Sequence, residues 1–144
     1  MAEARETATR ALMAFNNHDE SAISAFNAPN VKYEAPGGVR LEGRDAATGY
    51  AMTWLKAFPD ISVTTDLQTA LGPNVASWVT MRGTHRGVWQ GVLPTNRETT
   101  IRTVAQHRVE NGRIVEDWVM VEALGLFQQL RLVPPTPELL AAGR

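Results

Sequence analysis

Two ionisable side chains stand in apolar surroundings at alternating spacing, and each is a candidate to move a proton. If residues 113–122 are extended, Asp117 shares a strand face with Val115, Val119 and Val121. A carboxylate in that company is costly to bury unpaired, and desolvation raises its pKa toward the range where it works as an acid or base. His107 shares its face with Ile101, Thr103, Ala105 and Val109, while Arg102, Gln106 and Arg108 mark the wetter side. Imidazole is the usual base near neutral pH. The bland reading of Asp117 is a strand-end carboxylate paired with Arg108 or Arg113; that of His107 is a hydrogen-bonded core residue. Either one alone can suffice for a substrate that is already activated. A carbon acid flanked by carbonyls and an aromatic ring gives an anion that can close a ring. An electron-rich dihydroquinone gives an anion that can react with dioxygen, and neither reaction needs a metal or bound cofactor.

Which residues meet depends on one hairpin. Asn111-Gly112 signals a two-residue turn. That turn sets His107 opposite Glu116 and Ala105 opposite Trp118. The hydrophobic pattern instead groups the odd-numbered residues of both strands, which requires a β-bulge. Either Asp117, or Glu116 with Trp118, then shares the face of His107.

Candidate walls for a binding pocket lie further out. Tyr50, Trp54 and Phe58 fall at i, i+4 and i+8, and so on one helix face. Phe15 has the same double status as core and wall. Trp89 reads as pocket rim, packing or dimer contact, and Arg82 as a group that polarises a carbonyl oxygen or simply sits outside. His85 and Arg86 lie in a Gly-rich stretch that reads as a solvated turn or a structural loop. The three His show no spacing for a metal site, so none is expected.

The elements that would position these residues follow from periodicity. Helices are expected over 3–18, over 21–26 with Asp19 as N-cap, and over 43–58, ended by Pro59. Strands are expected over 31–34, 61–70, 75–84, 99–109 and 113–122, with a last helical turn over 124–130. The tail from about 134 opens on P-P-T-P and cannot be regular there. Helices followed by a run of antiparallel strands point to an α+β fold, with helices on one face of a curved sheet. Trp118 and Met120 would stand opposite the valines on the outer face, so a homodimer through the sheet is expected.

Bulk properties agree with one soluble domain over 1–144. The net charge of −1 gives no basic footprint for nucleic acid or anionic lipid. The chain has no Cys, which excludes disulfides and thiolate chemistry and suits a reducing cytoplasm. MAEARETATR is charged every few residues and is not read as a leader.

Four strings in order resemble the SnoaL-like polyketide cyclase family. They are Phe58-Pro59-Asp60; Gly83-Thr84-His85 with Gly87, Gly91, Pro94 and Thr95; the run from Asn111 to Trp118; and Gln128-Gln129-Leu130. The resemblance implies a cone-shaped α+β barrel like that of nuclear transport factor 2, with an internal apolar cavity, for which Phe15, Tyr50, Trp54, Arg82, Trp89, Thr103 and Val119 are the candidate substrate contacts. It implies an aromatic polyketide, anthracycline-type substrate in antibiotic biosynthesis. Cyclase members carry a catalytic Asp where Val119 stands. That departure points to the branch thought to hydroxylate anthracycline precursors, served by a separate reductase. Aldol-type ring closure, with Asp117 as the acid, and a non-catalytic ligand-binding or docking module are the alternatives.

Overall fold

A computed structural model describes residues 2–143, so the first and last positions of the expected domain lie outside it. The helix α1 (Ala2–Asn16) lays Ala4 and Ala8 on the sheet, and their small side chains let its backbone come close to Val75 and Val109. Asp19 caps α2 (Glu20–Phe26) by accepting a hydrogen bond from Ala22 N at 3.0 Å, as its position predicted. Strand β1 (Asn27–Ala35) begins four residues before the expected start and runs through Pro29. Proline is tolerated because the ladder to β6 is interrupted between Asn27 and Lys32.

A short strand not foreseen from sequence, β2 (Val39–Glu42), folds back on β1 after Gly37 and Gly38, both at positive φ. Next come α3 (Arg44–Ala57), β3 (Ser62–Leu71), β4 (Asn74–Thr84), β5 (Glu98–Glu110) and β6 (Arg113–Val121). The chain closes with α4 (Ala123–Gln129) and α5 (Thr136–Ala142). α5 forms because its Pro137 sits in the first turn, where no N–H is needed. No described helix is long and apolar enough to cross a membrane.

The six strands make one sheet in the order β2-β1-β6-β5-β4-β3. It is a mixed α+β fold with a curved sheet that stays open, since β2 and β3 are free edges. The expected all-antiparallel pattern fails at one place, where β1 runs parallel to β6. A parallel pair needs a long crossover rather than a hairpin, and α3 to β5 supply it.

The hairpin conflict has a definite answer. Val109 pairs with Ile114, but Arg108 pairs with Glu116, so Val115 is the extra residue of a bulge. From there His107 faces Asp117, Ala105 faces Val119 and Thr103 faces Val121. The odd-numbered residues of β5, from Thr99 to Val109, are all buried. Glu116 and Trp118 turn to the outer face. There Leu67, Trp78, Val104 and Met120 form a row across four strands.

Candidate functional site

The sheet and the three N-terminal helices enclose an apolar cavity of about 120 Å³. Room exists because Ala11, Ala47, Ala51 and Ala105 present only methyl groups to it, where larger side chains would fill the space. Phe15, Trp54, Thr103, His107, Asp117 and Val119 all line it, in keeping with their strand and helix faces.

Three expected wall residues do not line it. Arg82 is an even-numbered residue of β4 whose neighbours Val79 and Met81 face inward, so it is exposed on the outside. Tyr50 packs its ring on Tyr33 at 5.6 Å, outside the cavity. Trp89 is buried one layer behind Trp54, with ring centroids 5.0 Å apart, and also touches Phe58 and Phe127. His85 belongs to no solvated turn. It is fully buried, stacks on Phe58 at 5.4 Å and accepts Thr95 N–H at Nδ1, which pins the Gly-rich loop. Burial pushes its pKa down.

At the polar end of the cavity His107 Nε2 lies 3.3 Å from Asp117 Oδ1, with side chains only 5% and 11% exposed. The carboxylate's partner is therefore the imidazole across the ladder. Arg108 pairs instead with Glu110 on the far side. Burial presses the His107 pKa down, but the charge of Asp117 and its hydrogen bond together outweigh that and hold it above the ordinary value. Nε2 is the ring nitrogen nearer the carboxylate, and a neutral ring protonated there carries its lone pair on Nδ1. Nδ1 is buried and has no hydrogen-bond partner in the protein.

Tyr33, which the sequence reading left out, also lines the cavity. Val31, two residues before it on β1, is buried. Period-two alternation through Val31 and Tyr33 was the available signal.

The sequence model of the SnoaL-like polyketide cyclase family matches residues 5–130. The chain belongs to the SnoaL-like polyketide cyclase family. A crystal structure of AclR, a proposed hydroxylase from Streptomyces galilaeus, shares 25% identity with this SnoaL-like chain. It aligns over 100% of this chain and 95% of its own, with a TM-score of 0.84. IdmH, a proposed polyketide cyclase from Streptomyces antibioticus, shares 28% identity over 89% of this chain and 98% of its own, with a TM-score of 0.78. A SnoaL-like protein from Jannaschia, at 18% identity and a TM-score of 0.85 over 92% and 94% of the two chains, shows the same fold. Comparison with curated proteins finds no match.

Proposed function

We propose that this SnoaL-like protein hydroxylates an aromatic polyketide intermediate of antibiotic biosynthesis, of anthracycline type, through the substrate's own anion. The observation that carries the reading is the buried His107–Asp117 pair at the end of an apolar cavity, with Nδ1 unpartnered. Nδ1 takes a phenolic proton from a dihydroquinone, and Asp117 stabilises the imidazolium that results. A ring carbon of the anion bonds to dioxygen, and the imidazolium returns its proton to the outer oxygen of the peroxide. The O–O bond then breaks, the ring carbon loses its hydrogen, and water departs. Overall, dihydroquinone and dioxygen give hydroxyquinone and water, so the substrate supplies every electron and the reaction needs no bound cofactor. A separate reductase would prepare the dihydroquinone. The apolar walls keep water from the anion.

Likeness to AclR over the whole chain and the valine at position 119 support oxidation. Aldol-type ring closure stays as the second reading because Asp117 does face the cavity and IdmH is similar. The docking-module alternative is less favoured, since the interior is hollow rather than filled by large side chains.

The test is incubation of pure protein with a reduced anthracycline-type precursor in air containing labelled dioxygen. Uptake above the rate without protein, with one labelled oxygen in the product, is expected. A ring-closed product without oxygen uptake would establish the cyclase reading instead.

A further inference from the structure

Tyr33, Asp117 and His107 form a single row across three neighbouring strands. β1, β6 and β5 lie side by side, and the register pairs Tyr33 with Asp117 and Asp117 with His107. Directly paired residues share a face, and all three line the cavity. Other polar side chains of the lining are occupied. Asn27 Nδ2 donates to Ile23 O at 3.3 Å, and Thr103 Oγ1 donates to Met81 Sδ at 3.2 Å. The Tyr33 ring is braced by Tyr50. Burial first, then the charge of Asp117, then Tyr50 hold its hydroxyl pKa well above the ordinary value, so it remains a donor across the working pH range.

We propose that the Tyr33 hydroxyl is a second polar contact for the substrate, donating to an oxygen on the same ring whose other oxygen meets His107 Nδ1. This rests on the reading of His107 as the base. Tyr33 and His107 are two strands apart, about 10 Å between backbones, with Asp117 between them. Oxygens on opposite edges of one ring suit contacts carried by strands that far apart. A para-dioxygenated ring, as in a hydroquinone, has that arrangement. The volume adds a second limit. A cavity of about 150 Å³ holds one benzene, so about 120 Å³ has room for no more than one ring of this substrate. Any further rings of a polycyclic substrate lie across the mouth.

The experiment compares anaerobic binding of naphthalene-1,4-diol and 1-naphthol, read by quenching of tryptophan fluorescence. Wild-type protein is expected to bind the diol about 10-fold tighter, the worth of one well-placed hydrogen bond in a dry site. Tyr33→Phe should bind the two within about 2-fold of each other while keeping its affinity for 1-naphthol, which also shows an intact cavity. Tyr50→Phe, which alters a hydroxyl outside the cavity, should keep the wild-type preference. Equal binding of the two probes by wild type, binding of neither, or an undiminished preference in Tyr33→Phe would each overturn the proposal. The wild-type comparison needs no variant, so a misfolded mutant leaves it decidable. Loss of the preference in Tyr33→Phe without any oxygen uptake by wild type would remove the hydroxylase reading and leave this one standing. Oxygen uptake with no preference would do the reverse.

Discussion

Replacing His107 with Gln lowers kcat by about 10²- to 10⁴-fold, the usual contribution of a positioned general base. Gln fills much of the same space and can still donate a hydrogen bond to Asp117, so the cavity stays formed and KM changes little. The loss is read from steady-state rates with folding checked by circular dichroism. The wild-type pH profile carries the sign of the pair. The working base is the neutral ring, and its pKa is raised by Asp117. The rising limb of the rate therefore lies above about pH 6.5, the ordinary imidazole value. Stability follows the same linkage. A folded-state pKa above the unfolded one adds stability that is full below about 6.5 and fades as pH rises through the folded value.

Gly87→Ala destabilises the fold by about 3 kcal/mol, the upper part of the usual range for overpacking, and lowers Tm by roughly 10 °C. A Cβ at this position would come 2.3 Å from Lys56 O and 3.2 Å from Ala57 Cα. These are backbone atoms at the end of α3, so no side-chain rotation relieves the clash. The approach is close because Arg86 N and Gly87 N both donate to Ala57 O at 3.0 Å, which caps α3 with the loop. Forcing them apart unseats the helix that carries Trp54 and Ala51 into the cavity. Gly49 is the internal control. It lies inside α3 with nothing within 4 Å of an added Cβ, so Gly49→Ala raises stability by about 0.5–1 kcal/mol. Thermal melts of both variants check the contrast.

The long strands and helices were legible because their residues alternate cleanly at one period or the other. The odd-numbered set of β5 read as a buried face, and it is one. Three features escaped for physical reasons. β2 has only four residues, too few for a pattern. The parallel pairing of β1 and β6 joins segments about 80 residues apart in sequence, and no local signal encodes such a contact. The wall residues on helices and loops were the weakest part. Aromatic spacing on α3 showed that Tyr50 and Trp54 share a face, but that face is wide enough for one to meet the cavity and the other Tyr33. Arg82 was legible in hindsight from strand parity alone. The bulge at Val115 was required by the conflict between turn and hydrophobic pattern, and it is what brings Asp117 rather than Glu116 to His107.

His107 Nδ1 is a buried imidazole nitrogen with no protein partner, on a ring that lines the apolar cavity and lies beside the Asp117 carboxylate. Nitrogen-15 NMR of the His107 ring across a pH titration reads this directly. The predicted result is a neutral form protonated at Nε2, a midpoint above about 6.5, and a downward move of that midpoint in Asp117→Asn, where burial acts alone. A neutral ring protonated at Nδ1, or a wild-type midpoint below the ordinary imidazole value, would contradict it.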